Sequence, residues 1–424
     1  MKFQSQKKRF LSDNYLCFCL KPPTMKDFRI HKSLLIIILL FQACQPGQLF
    51  QIELDFPERE LQNTPVFVDV NKDLLRAEES YCLQLGSETI PLQIENISPT
   101  HLRLWWEANI SAGEKKIYTV IGGCTRADKV FLWQTTGKNS MQLLQNGKPL
   151  IGYVHPEFDI NQRELTYKPF HHVFDPHKGI PITKGPGGLY SHHRGIYYGY
   201  NQIRVDGGEP VDIWHNHHGE HSEHVRTIRE FTGPVFGGHT VEIEWRDTQA
   251  QTFAREIRTL KVFHENDQMI IDFHSVLEPV DADIVELDGD RHHGGVQFRA
   301  DNEVSENSEE TFFTRPLQVQ QISPFSEIEG DDMYDLPWNA MSYVLDGEQY
   351  NVAYFSHPSN PAGAEMSERR YGRFGEFFPY TITPGNPLEV TYRFIVTKGE
   401  TPSAETLQKQ YENFAEKLNF EIKD

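Results

Sequence analysis

Seven histidines, His192, His193, His215, His217, His218, His221 and His224, crowd into the forty residues from Gly187 to Arg226. Arg194, Arg204, four tyrosines and Trp214 lie between them, and sixteen of the chain's 19 histidines fall between His155 and His293. Packing is a poor reason for such crowding, because each buried imidazole brings two ring nitrogens that need partners. The stretch reads as the wall of a polar, aromatic-lined cleft in which protons, a metal ion or an anionic group are handled. A solvated histidine-rich loop is the plainer alternative, above all for His221 and His224.

Spacing sorts these candidates. In extended chain, neighbouring side chains point to opposite faces, so one member each of His192-His193 and His292-His293 faces the site unless the pair lies in a turn. His193 and His293, nearer the strands that follow them, are the better candidates; the alternative makes both pairs hydrogen-bonded corners. His215 and His217 share a face if extended, as a divalent-metal chelate or a proton relay requires. The surrounding HHGEHSEH departs from the H-E-x-x-H metal motif, since a glycine precedes the glutamate. Of the nearby carboxylates, Glu209, Asp212, Glu220, Asp288 and Asp290, none is flanked as the acid and nucleophile that a glycosidase holds about 5–9.5 Å apart.

The chain is richer in His, Tyr and Arg: Tyr190, Tyr197, Tyr198, Tyr200 and Tyr371, with Arg194, Arg204, Arg291, Arg369 and Arg370. Those groups suit elimination beside a carboxylate. Cations neutralise the carboxylate so that the adjacent C–H becomes acidic, one group removes that proton, and another protonates the departing oxygen. In this assignment His215 or His193 is the base, and His293 or a tyrosine, Tyr198 or Tyr371, is the acid. Arg194 and Arg370 bind the carboxylate, while Trp214 and His357 complete the substrate site. A divalent metal on His215 and His217 is an optional cofactor. GDRHHGG and GPGG have neither the spacing nor the following helix of a dinucleotide or phosphate loop, and no nucleophile elbow is present.

The elements that must position these residues are strands. Segments such as LFQIELDF, TPVFVDV and HLRLWWEA alternate apolar and polar residues between Pro, Asn and Gly turns, which predicts a small β-sandwich over residues 44–135. After the polar link TTGKNS the strands lengthen, predicting one large antiparallel β-sandwich over 136–424, a mutarotase-like supersandwich or jelly roll. The fold class is therefore all-β, with a C-terminal helix over SAETLQKQYENFAEKL behind Pro402 and Ser403. In TFAREIRTLKVFH, Phe253, Ile257 and Leu260 to Val262 are expected to be buried, with Arg255, Arg258 and Lys261 outward. Chemistry is expected at loops and strand ends on this frame.

Residues 25–43, with Lys26, Arg29 and Lys32 before the apolar run Leu34 to Phe41, read as a signal peptide ending at Ala43-Cys44. The pattern resembles a bacterial lipoprotein signal, with Cys44 lipidated and the exported chain anchored to the outer membrane by lipid alone. Met1 to Thr24 has no place in such a signal and reads as sequence upstream of a start at Met25. An uncleaved membrane anchor is the alternative, with a run below the usual spanning length. Cys82 and Cys124 fit no zinc motif and, in an exported chain, are free to pair if the fold brings them together. The formal charge of −19 argues against a nucleic-acid partner, which needs a basic patch. It leaves room for an anionic substrate, since exposed charges are screened beyond about 8–10 Å.

LYSHHRGIYYGY, VDIWH, GDRHHGGVQFRA, FSHPSNP, RRYGRFGEFFPY and LEVTYRFIVTKG together resemble a domain family of unknown function that carries the label "methane oxygenase PmoA". The resemblance covers about residues 165–400 and implies a large β-sandwich, exported beside carbohydrate-degrading enzymes, without assigning residue roles. His217, His218, His221 and His224 are a denser addition than the family pattern. Joined to the inventory above, the resemblance leads to an enzyme acting on an acidic, uronic-acid-containing oligosaccharide or polysaccharide by proton abstraction and β-elimination, a lyase or a dehydratase. A hydrolase or epimerase using the same cleft, and a surface lipoprotein that binds glycans without turning them over, are the alternatives.

Overall fold

The computed structural model describes residues 48–55, 59–76, 80–124, 130–416 and 418–423. The expected export signal and Cys44 lie outside the described residues. The alternating segments form antiparallel strands throughout, and among the described residues no helix is long and apolar enough to cross a membrane.

Two large sheets carry the fold. One runs in the order Glu365–Arg369, Arg373–Phe377, Gly294–Arg299, Ile196–Tyr200, Phe170–Asp175, Lys148–Val154, Ser140–Gln145 and Phe131–Gly137, with Ile180–Pro181 paired on Phe170–Asp175. The other runs His221–Phe231, Gly237–Arg246, Thr252–Glu265, Gln268–Pro279, Leu388–Lys398, Glu348–Ser356, Trp338–Leu345 and Phe312–Thr314. Their facing side chains share one apolar core: Tyr198, Val296, Phe298 and Phe374 from the first meet Trp245, Phe273, Tyr354 and Phe394 from the second. The chain is thus an all-β protein built on a sandwich, since each sheet buries one alternating face against the other.

One expectation about facing is reversed. In Thr252–Glu265 the inward positions are Ala254, Glu256, Arg258, Leu260 and Val262, so Arg258 points into the sandwich and Ile257 lies at its half-exposed outer face. Arg258 tolerates burial because Glu256 takes its Nε and Nη2 at 2.7 and 2.9 Å. That carboxylate also accepts from Ser275 Oγ at 3.0 Å and Trp245 Nε1 at 3.1 Å. A charge paired in this bidentate way can sit where a lone one could not, although Nη1 finds no hydrogen-bond partner among the described residues.

Strands between Gln48 and Gly122 form two smaller sheets around a separate core of Phe50, Leu54, Val66, Leu104, Trp106 and Val120. Cys82 and Cys124 are joined there by a disulfide. The last strand, Asn419–Lys423, returns to pair with Gln48–Asp55. Trp105 turns the other way, into a cluster with Phe236 and Phe263 on the outer face of the second large sheet. The C-terminal helix, Ala404–Ala415, begins where Ser403 Oγ accepts the Thr406 N–H and packs Leu407, Tyr411 and Phe414 against that same face.

The outer face of the first sheet positions the site. Ile196–Tyr200 and Gly294–Arg299 pair from Ile196↔Phe298 to Tyr200↔Gly294, placing Tyr197 opposite Gln297 on the face away from the shared core. A strap from Val211 to Asn216 crosses above them, tied by Ile213 N–H to Tyr200 O at 3.0 Å. Gly199 makes the crossing possible, because a Cβ there would lie 2.9 Å from Ile213 O. Under the strap Trp214 packs on Phe170 and Tyr197, closing a small apolar cluster.

Candidate functional site

Both histidine pairs lie in turns immediately before strands, so the alternation rule does not divide them. His193 N–H donates to Tyr190 O at 2.9 Å, and His293 N–H donates to Asp290 O at 2.9 Å. All four imidazoles, with Tyr190, His215, Arg369 and Tyr371, line one open cleft of about 380 Å³. His215 stands in the middle, its ring 4.6 Å from that of His192 and 4.9 Å from that of His293.

Two of these imidazoles are held by carboxylates three residues earlier. His215 Nδ1 lies 2.8 Å from Asp212 Oδ2, and His293 Nδ1 lies 3.0 Å from both oxygens of Asp290. With Nδ1 donating to a carboxylate, Nε2 carries the lone pair, the tautomer suited to accepting a proton or binding a metal. The carboxylates are fixed in turn: Asp212 accepts from the N–H groups of Trp214 and His215, and Asp290 from that of His292. Burial opposes the ionisation of both, but the hydrogen bonds from His215 and from His293 and His292 prevail and hold each carboxyl below its ordinary pKa.

The other imidazoles are kept neutral. His292 offers Nε2 to Arg369 Nη2 at 2.6 Å and places Nδ1 3.0 Å from Ser367 Oγ; burial, then the charges of Arg369 and Arg373, lower its pKa to about 4. His193, 2% exposed, has no hydrogen-bond partner for either ring nitrogen among the described residues, and burial followed by Arg373 and its neighbours pushes its pKa far below the usual range. Tyr371 accepts from Arg373 Nε at 3.1 Å, which leaves its own O–H free to donate into the cleft.

Behind this wall lies a group of buried basic side chains. Lys168, Lys184, Arg194, Arg299 and Arg373 are all at most 3% exposed, and none makes an ion pair among the described residues. Their partners are neutral. Lys168 donates to Trp214 O at 2.6 Å, Lys184 to three backbone carbonyls, and Arg373 to Gln297, Ser367 and Tyr371. Burial, then Arg299 and Arg194, lower the Lys184 pKa to about 7. Burial holds Lys168 well below the usual lysine range as well, so in a chain of net charge −19 the guanidinium groups of Arg299 and Arg373 are the cations that make the cleft floor a local attractor for anions.

Residues 140–412 match a family model described as a family of unknown function, DUF6807. The chain belongs to that family. No curated protein matches the sequence. Among solved structures, a glycosyl hydrolase family 38 protein from Enterococcus faecalis is similar at TM-score 0.43 and 11% identity, over 89% of this chain and 47% of that one. An α-mannosidase from Enterococcus faecalis V583 gives 0.41 and 10%, over 88% and 45%, and a GH36 α-galactosidase from Geobacillus stearothermophilus gives 0.37 and 10%, over 64% and 41%. The chain spans less than half the length of each.

Every residue of the cleft falls inside the DUF6807 match, and the structure sorts the expected site residues around it. His193, His215, His293 and Tyr371 meet there. Arg194 does not: it is fully buried, lies over the Tyr167 ring and donates to Glu164 O. Arg370 turns away to Thr311 O and the Phe325 ring, and its neighbour Arg369 enters the cleft instead. Tyr198 points into the sandwich core against Trp245, since strand alternation gives the outer face to Tyr197. Trp214 backs the site from beneath, its ring 5.9 Å from that of His193. His357 is held by Ser359 Oγ and packs edge-on against Phe414 of the C-terminal helix, away from the cleft lining.

His221 and His224 are structural, the first stacked on Phe158 at 3.9 Å and the second 3.1 Å from Tyr153 Oη. Asp212, His215 and His217 bring donor atoms within 4.8 Å of one another. Because Asp212 already accepts from His215 Nδ1, a cation there would take His215 Nε2 and the exposed His217, with Asp212 orienting His215 from behind. Asp212, Asp290 and His292 are named from sequence, the first two as carboxylates that form no glycosidase pair, but not as the partners that orient or line this site. The first two carry a readable signal: D-x-x-H occurs in both VDIWH and GDRHH, directly beside the strands that bear the site.

Proposed function

We propose that this cleft performs acid–base chemistry on an acidic saccharide, removing the proton next to a uronic-acid carboxylate and expelling the β-oxygen. The observation that carries the reading is the pair of Asp–His dyads, Asp212–His215 and Asp290–His293, opening on one cleft beside Arg369 and Tyr371. Arg299 and Arg373 behind Tyr371, with Arg369, whose Nη1 is already paired with Glu327, offset the charge of the carboxylate, which makes the C5 proton acidic and stabilises the enolate-like intermediate. His293 or His215 takes that proton on Nε2. The C–H electron pair becomes the C4=C5 double bond, the C4–O bond breaks, and Tyr371 gives its proton to the leaving oxygen. If that oxygen carries a sugar the reaction is that of a lyase; if it leaves as water, that of a dehydratase.

A glycosidase mechanism draws less support, because Asp212 and Asp290, the carboxylates bonded to cleft histidines, spend their oxygens on orienting them. For location we propose an exported chain anchored by lipid at Cys44, a reading supported by the disulfide, which persists in oxidising compartments.

The test is incubation with uronic-acid oligosaccharides, following the ultraviolet absorbance of a double bond conjugated to the carboxylate, with and without chelator. Absorbance should rise. New reducing ends without absorbance would assign a hydrolase, and binding without any product a glycan-binding lipoprotein; either replaces the proposal. Loss of rate on chelation would show that a cation takes part.

A further inference from the structure

The lip of the cleft is a loop held in an unusual backbone. Gly187, Gly188 and Tyr190 adopt φ of +89°, +62° and +54°. Among the described residues, the other non-glycines with positive φ are asparagines, aspartates and one alanine, so Tyr190 is the sole bulky side chain in that region. A bulky residue there is disfavoured, and persists only where its surroundings over-determine it. Here they do. Asn302 Oδ1 accepts the Leu189 N–H at 2.8 Å, and Lys184 Nζ donates to the carbonyls of Gly185, Tyr190 and His193 from 3.0 to 3.2 Å.

These restraints hold apolar surface out in solvent. Leu189 is 42% and Tyr190 47% exposed. The Tyr190 ring stands 5.0 Å from that of Tyr371 and 5.3 Å from that of His193, so one face continues the cleft wall beside the proposed acid. Backbone strain that presents an aromatic ring at the mouth of a polar cleft fits recognition better than packing.

We propose that Leu189 and Tyr190 form a sugar-stacking subsite that takes the apolar face of the pyranose ring next to the one undergoing reaction. The inference rests on the saccharide reading above and adds where the chain of sugars continues. A ring placed there anchors the substrate by contacts remote from the reacting carbon, so it sets affinity and length preference.

The experiment titrates a panel of uronic-acid trisaccharides and the corresponding monosaccharides, by calorimetry, into the full chain and into Tyr190→Phe, Tyr190→Ala and Tyr190→Gly, alongside thermal denaturation. Trisaccharide affinity is expected to fall about tenfold or more in Ala and Gly and to survive in Phe. Glycine relieves the φ restriction, so Tyr190→Gly should keep its Tm within about 2 °C of the parent. Trisaccharide binding unchanged in Ala and Gly would overturn the subsite and leave the proposed function standing. A large fall in Tm with affinity retained would make Tyr190 a structural clamp and also overturn it. No saccharide bound by the parent chain would remove both readings.

Discussion

Asp290 and His293 are three residues apart and do one job. If the carboxylate serves to fix the imidazole tautomer, Asp290→Asn keeps the shape and hydrogen-bonding size of the residue while losing the charge that holds Nδ1–H. Turnover should then fall about 10²–10⁴-fold, with Tm nearly unchanged because the group lies at a half-exposed turn. Asp212→Asn should do the same to whichever step uses His215. Initial rates on the saccharide that gives absorbance decide it, and full activity in both variants would show that neither dyad takes part. At this scale the sequence was informative about residue type and poor about direction. The histidine crowding pointed to one cleft, and His193, His215, His293 and Tyr371 line it. Arg369 in place of Arg370, and Tyr197 outward in place of Tyr198, are one-residue slips. They arise because facing follows a strict parity in strands, whereas a turn such as Arg370–Gly372 has none.

Strands supply the rigidity on which that turn chemistry depends, and the strap from Val211 to Asn216 is the element most exposed to a small error. It rides over Gly199 with no space for a methyl group, and it carries Asp212, Trp214 and His215 together. Gly199→Ala should force the Ile213 carbonyl upward by several tenths of an ångström. That costs about 1–3 kcal/mol as overpacking and lowers kcat at least tenfold through displaced His215. A measured rate equal to the parent's, with the expected loss of Tm, would detach the strap from catalysis. Alternation in stretches such as HLRLWWEA was legible because Leu102, Leu104, Trp106 and Ala108 fill one dry face, with Trp105 alone among the intervening residues covered on the other. Thr252–Glu265 shows the limit: Arg258 looks like an outward residue until Glu256, Ser275 and Trp245 are known to surround it. The return of Asn419–Lys423 to the first strand is a pairing over more than three hundred residues, and no local pattern encodes it.

For the molecule as a whole, buried histidines, most of them outside the cleft, make the fold sensitive to acid. His171 and His239 are fully buried with Nε2 atoms 2.9 Å apart, a contact that works only while one imidazole donates to the lone pair of the other. Burial, then the charge of Arg258, lowers the His239 pKa to about 3. Burial followed by His239 holds His171 well below its usual value. His172 and His224 are each lowered to about 4, chiefly by burial, and His193 lies far below the ordinary range. In every case the folded pKa lies under the unfolded value of about 6.5. The contribution to stability is therefore complete above pH ~6.5 and is lost as the pH falls toward the folded values, because the unfolded chain takes up protons that the fold refuses. Glu376 works in the opposite sense: burial raises it to about 7, so its folded proton adds stability as the pH falls from 7 toward the ordinary carboxylate range. One carboxyl set against five imidazoles leaves the histidines in control. Thermal denaturation from pH 8 to pH 4 should show a gradual fall in Tm down to about pH 7, where Lys184 takes up its proton in the fold, and a steeper fall below about 6.5. A Tm that held level from pH 7 to pH 5 would mean that the buried imidazoles accept protons inside the fold.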